Sequence, residues 1–455
     1  MKRKNMAHFI TVAAAAFILT SCAGAIAPQD SRDMLQAPGM TLWQSQGYGY
    51  LLGMQGDAFT CCDMTQVSLL CASKGRIEQG RLMLDEDLFI GQIIERTEQQ
   101  IIFQEPDGTK IVLKRIEAIP DAITITRVSE DAAQNFEVFW HTIEEQSAML
   151  SMKHVDWRAA YRALRPDIAK RTPESLFTGF VKLMVLLRDG HGVISNGKSS
   201  ISSFPYPPSA WLKSRRDDLL AAIATYTDQG SLQASASDNM LSGTIHHNIG
   251  YLNVLSFYGY SQTNNEDEDE AMFAAAIDKL LGEWQSMDAL ILDLRLNDGG
   301  SDALALSLAN RLTSKRIPVF SKQARIGGYD EFSPLQERFI EPAGVQFLGK
   351  PVIVLTSGLT ISAADVAAMI LKHPDLTNVT TVGEPSFGAF SNALGKTLPN
   401  GWMFMFSNER YFAAFDQQNY EGKGIAPDVE VMQDETALNQ GKDNILDAAL
   451  RQLSH

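Results

Sequence analysis

The sequence predicts an α+β protein of several domains: a small N-terminal β domain, a helical segment, and an α/β core. Three observations carry this expectation. Short β-like runs separated by turns fill residues 42–125. Apolar residues then recur at three- and four-residue spacings from 131 to 189, and from Ile249 onward strand-like runs alternate with helical ones. A chain of 455 residues has room for two or three cores.

The β region contains GYGYLLGM, QIIFQ and KIVLKRIEAI, with Asp107-Gly108 between the last two, a pair that predicts a hairpin turn. In the helical region Phe136, Phe139 and Trp140, then Trp157, Tyr161 and Leu164, form an aromatic stripe read as core. A later helix opens at Thr172-Pro173-Glu174, buries Phe177, Phe180, Leu183, Met184 and Leu187, and stops at Asp189-Gly190, with His191 next. The boundaries expected are a leader over 1–21, a tether over 22–40, the β domain over 41–128 and the helical segment over 131–195. A linker or insert over 196–245, the α/β core over 246–435 and a C-terminal helix over 436–455 complete the chain.

The N-terminus predicts export. Lys2, Arg3 and Lys4 precede an apolar run, Phe9 to Leu19, too short to span a membrane comfortably, and the run ends in Leu19-Thr20-Ser21-Cys22. That pattern resembles a bacterial lipoprotein signal. The resemblance implies lipidation at Cys22 and a place in the cell envelope, at the outer membrane facing the periplasm, since Ala23 rather than Asp follows the cysteine. Cys61, Cys62 and Cys71 are read as buried thiols or as one disulfide to Cys71, because no histidine lies nearby to complete a zinc site.

Composition narrows the function classes. Hydrophobic residues at 45% and charged residues at 20% describe a globular chain. A net charge of −15 argues against nucleic acid, whose phosphates need Lys/Arg-rich faces. The acidic run Glu266–Glu270 is read as a solvated loop, and His246-His247, taken as strand neighbours on opposite faces, are not read as metal ligands. No metal or cofactor is expected.

Two segments carry candidate chemistry. In Lys350 to Asp365 an apolar strand runs through a Ser/Gly/Thr turn into a helix starting at Ser362. A serine there sits at the positive end of the helix dipole, beside backbone N–H groups able to receive an oxyanion, Ala363 first. Taken alone, a serine there is more commonly a simple N-cap, and the G-x-S-x-G elbow is absent. In Ala289 to Gly300 a buried strand runs into Gly299-Gly300, where a backbone N–H can approach a ligand. The G-x-G-x-x-G spacing of a dinucleotide site is missing.

DLRLNDGG, VLTSGLTISAAD, Val382-Gly-Glu384-Pro-Ser-Phe-Gly388 and Glu421-Gly-Lys-Gly424-Ile-Ala-Pro427-Asp428 occur in that order. Together they resemble the S41 peptidases, the tail-specific and C-terminal-processing group that also includes the tricorn core and the interphotoreceptor retinoid-binding repeats. Leu187-Arg188-Asp189-Gly190-His191 matches the family's helical cap segment, so the likeness covers about residues 135–435. It implies a ClpP/crotonase-like core, Ser362 as nucleophile, and the amides of Ala363 and of Gly299 or Gly300 as oxyanion donors. The implied partner is a peptide or unfolded protein.

Departures from the family pattern redirect the expectation. Many members place a catalytic lysine where this chain has Ala389, and Lys396 lies beyond the matching stretch. A serine still needs a base. The tricorn-like branch places a His and a Glu at the positions of His191 and Glu421, which implies His191 as general base and Glu421 as its orienting acid. Asp365 is read as a helix-start acid. No PDZ pattern lies between His191 and Ile249. The competing readings are a non-catalytic binding protein on the same scaffold, favoured by the missing lysine, and a coenzyme A-dependent acyl-transfer enzyme, disfavoured by export.

Overall fold

The computed structural model describes residues 25–84, 88–168, 172–205, 207–263 and 265–454; the leader and Cys22 lie outside the described residues. The chain forms two compact units. The first comprises Met1–Pro205, Gln323–Gln336 and Ser391–Arg410, and the second Tyr206–Lys322, Glu337–Phe390 and Tyr411–His455.

In the first unit, eight antiparallel strands between Thr41 and Ile116 close into a barrel. Closure leaves no unpaired edge, and alternate residues face opposite sides. Leu52 and Met54 thus join the main core with Leu82, Ile101, Phe103 and Leu113, while Leu51 joins a smaller cluster with Leu69 and Ile123. Cys62 and Cys71, paired across adjacent strands, form a disulfide. At the Asp107-Gly108 turn, Asp107 Oδ1 accepts the Thr109 N–H at 2.8 Å, joining strands Gln100–Gln104 and Lys110–Ile116.

Helices Ala132–Gln146, Trp157–Ile168 and Pro173–Leu187 follow, and their aromatic stripe is buried in the same core as the barrel interior. A four-stranded sheet completes this unit, in the order Ser200–Ser202, Val193–Ser195, Met403–Ser407, Ala393–Thr397. Its Lys396 is 2% exposed, donates to Tyr48 O at 2.7 Å and pairs with Asp63 of the barrel. That lysine is committed to packing.

The second unit is built on a seven-stranded sheet. Gln233–Ala234, Met240–Ile245 and Ile249–Val254 run antiparallel in turn. Ala289–Asp293, Val352–Thr356, Val379–Gly383 and Val429–Glu430 then add in parallel. The central strands are buried throughout, as a sheet covered on both faces requires. Helices Glu266–Glu283, Asp302–Asn310 and Ala363–Leu371 contribute to one core cluster. Arg216–Ala224 and Asn444–Gln452 contribute to another.

Two expectations are corrected. Glu266–Glu270 is the first turn of a helix, not a loop: its acids lie at the positive dipole end, and Asp269 accepts the amides of Gly259, Tyr260 and Ser261 at 2.6, 3.0 and 2.6 Å. His246 and His247 form the turn between two strands, with φ of 52° and 62°, rather than lying on one. No helix among the described residues is long and apolar enough to cross a membrane.

Candidate active site

Strands Ala289–Asp293 and Val352–Thr356 are parallel neighbours, so their C-terminal turns emerge side by side. Hydrogen bonds lace the two turns together. Ser357 Oγ donates to Arg295 O at 2.6 Å, Thr360 Oγ1 to Leu294 O at 2.8 Å, and the Ile361 N–H to Asn297 O at 3.2 Å. Beneath them Arg295, fully buried, bridges the carboxylates of Asp293 and Asp443 at 2.6 and 2.7 Å. Asp443 also caps the C-terminal helix.

Ser362 occupies the N-cap of helix Ala363–Leu371 with φ 63° and ψ −125°, a conformation sparsely populated by residues bearing a Cβ. Gly299 faces it. A Cβ on Gly299 would lie 2.6 Å from Ser362 Cβ and 3.2 Å from its Oγ, and φ at Gly299 is +92°. Only glycine combines that backbone with that approach.

The two glycines differ in what their amides do. The Gly299 N–H donates to Asn297 Oδ1 at 2.9 Å, and Asn297 Nδ2 donates to Val254 O at 2.9 Å. Among the described residues neither the Gly300 N–H nor the Ala363 N–H has a hydrogen-bond acceptor, and Gly300 is exposed.

Asp365, fully buried, holds this turn to the next block of the sequence. It accepts the Ser362 N–H at 3.0 Å and the Ala389 N–H at 2.9 Å through Oδ2, and the Gly388 N–H at 2.8 Å through Oδ1. Burial pushes its carboxyl up to about 6, against the Ser386 hydroxyl and these three amides, which favour the anion. Ser386 Oγ in turn accepts the Ile425 N–H at 2.8 Å, and the Gly422 N–H donates to Gly388 O at 2.7 Å. All four sequence blocks therefore meet in the second unit.

Ser362, Ala363, Gly299 and Gly300 come together. Glu421 is in the same unit, 5% exposed, with Oε2 accepting the Phe390 N–H at 2.8 Å. Ala389 is wholly buried. His191 belongs to the first unit, on a turn held by Asp189, whose carboxylate accepts the His191 N–H at 2.9 Å and the Ser407 N–H and hydroxyl at 2.7 Å each. Burial lowers the imidazole below its ordinary value, against the pull of the Asp189 carboxylate. Three contributors were absent from the sequence reading: Asn297, which orients Gly299, the Arg295–Asp443 bridge, and Asp365 as more than a helix-start acid. Asn297 stands inside the DLRLNDGG block, which was its available signal.

Residues 248–431 match the family model for peptidase family S41. The carboxy-terminal processing protease CtpA of Bacillus subtilis (strain 168) is 28% identical over 184 residues, a match that spans 40% of this chain and 35% of that protein. The crystal structure of a candidate peptidase from Parabacteroides merdae ATCC 43184 shares the fold. It has a TM-score of 0.60 at 24% identity, over 71% of this chain and 97% of the other. In its segment 248–431, this chain is similar to peptidase family S41.

Proposed function

We propose that the protein is an exported serine peptidase that hydrolyses peptide bonds through an acyl-enzyme on Ser362. The observation that carries the reading is the helix-start serine pressed against Gly299, with the Gly300 and Ala363 amides unengaged beside it. In this mechanism Ser362 Oγ attacks the scissile carbonyl carbon while His191 takes its proton. The Gly300 and Ala363 N–H groups stabilise the oxyanion. His191 returns the proton to the leaving amine as the C–N bond breaks. Water then attacks the ester by the same route and regenerates the serine. Glu421 orients the imidazole and stabilises its cation. Gly299 makes room for the nucleophile, and Gly300 supplies the donor.

Substrates are unfolded or C-terminally exposed peptides, the latter in keeping with the carboxy-terminal processing for which the Bacillus relative is named. A lipid on Cys22 anchors the protein to the outer membrane facing the periplasm. The test of the chemistry is casein degradation: Ser362→Ala abolishes it, and a variant as fast as wild type refutes the reading. The test of the anchor is fractionation, in which Cys22→Ser leaves the membrane pellet for the soluble fraction; retention in the pellet contradicts it. The buried Ala389 at the lysine position favours a second reading, a non-catalytic peptide- or lipophile-binding protein. That reading requires wild-type protein to be as inactive as Ser362→Ala.

A further inference from the structure

The first unit contains a cavity of about 780 Å³, within the range of ligand sites. It is lined by the end of helix Ala132–Gln146, segments 154–158 and 325–329, and barrel residues between Gln44 and Gln66. The helix end breaks an elementary rule. Its last turn carries no basic residue but does carry Glu144 and Glu145, two acids at the negative end of the dipole.

The charges already present leave this end short of cation. Arg158 is paired with Glu144 at 2.9 Å. Arg325 spends Nη1 on Ser147 O at 2.9 Å and Nε on Gly328 O at 3.3 Å. Glu145 accepts the Gln66 N–H at 3.1 Å and faces His141 Nδ1 at 3.2 Å; Asp156 accepts the Ala159 N–H at 2.8 Å. Along the cavity wall three carboxylates thus stand against two guanidinium groups and the His154 imidazole.

A second, independent observation concerns Gln146. It is 3% exposed and lines the same cavity, and its Oε1 has no hydrogen-bond partner among the described residues. A buried acceptor left unpaired costs stability unless a ligand donor fills it. The requirement is therefore double: positive charge for the helix end, and an N–H donor for Gln146.

We propose that this cavity is a binding site for an organic cation bearing N–H groups, a guanidinium or primary ammonium such as a basic peptide side chain presents. Gln146 Oε1 accepts the N–H, and Glu145 and Asp156 balance the charge. The site needs neither Ser362 nor any peptidase activity, so it stands or falls separately from the proposed chemistry.

Calorimetric titration of the whole protein with agmatine, and with tetramethylammonium as a cation lacking N–H groups, tests it. Agmatine should bind saturably and tetramethylammonium should not. Gln146→Met should weaken agmatine binding about tenfold. Glu145→Gln, which keeps an acceptor for Gln66, should weaken it as well and guards against a folding defect in the first variant. Absence of saturable agmatine binding overturns the proposal. So does equal binding of both cations, or undiminished binding by a folded Gln146→Met protein.

Discussion

Ser362 and Asp365 are joined by a 3.0 Å hydrogen bond from the serine amide to a carboxylate that is wholly buried. The same carboxylate receives Gly388 and Ala389, so one side chain fixes both the Ser362 turn and the segment where the expected lysine is missing. In the folded chain Asp365 loses its proton near pH 6, in the unfolded chain near ~3.9. The contribution is therefore fully present below about pH 4 and is lost as pH rises through about 6, a change of about 3 kcal/mol. Urea titrations of wild type and Asp365→Asn between pH 4 and 8 check this. The wild type should lose stability relative to the variant as pH rises through that window. Near pH 4 the variant should be the less stable by about 1–3 kcal/mol, since the amide presents an N–H to backbone donors.

Gly299 predicts a loss of activity with little loss of fold. In Gly299→Ala the new methyl would stand 2.6 Å from Ser362 Cβ at a positive φ, so the serine must move. Peptidase activity should fall by roughly 100-fold or more, in line with a misplacement of about 1 Å at a reacting group. Circular dichroism should remain near wild type. Full activity in this variant would contradict the facing of these two residues.

The Arg295 bridge predicts the opposite balance. Asp443→Asn leaves a buried guanidinium with one carboxylate instead of two and removes charge from the cap of the C-terminal helix. Breaking a buried pair in this way costs about 3–5 kcal/mol. Denaturant unfolding should show a loss of that order, with residual activity per folded molecule largely kept.

For His191 the prediction concerns pH. Burial holds the imidazole below the ordinary histidine value, so at neutral pH it is unprotonated, the state that the proposed general base requires. The profile of kcat/KM should rise with pH along a limb whose midpoint lies below ~6.5, the unperturbed histidine value. A midpoint well above that value would exclude this imidazole as the base.

Much of this was legible in the sequence because it depends on short-range order. The alternation of strands and helices after Ile249 and the Asp107-Gly108 hairpin declare themselves locally, as do the aromatic stripes of the helical region. The acidic run at Glu266 misled because its helix-starting role depends on Asp269 receiving amides from Gly259 to Ser261, a contact outside its own periodicity. Asp365 was hidden for a similar reason. Its partners Gly388 and Ala389 lie more than a strand away in sequence, and only the fold reveals that it is buried. The commitment of the Gly299 amide to Asn297 likewise follows from turn geometry rather than residue spacing.

The central claim is that Ser362 is a nucleophile. Its most direct test is mass spectrometry of the native protein after treatment with a fluorophosphonate. A single adduct on the peptide containing Ser362, absent from Ser362→Ala and strongly reduced in His191→Ala, is the result predicted. No adduct under conditions in which the protein degrades peptide, or an adduct on another residue, would contradict it.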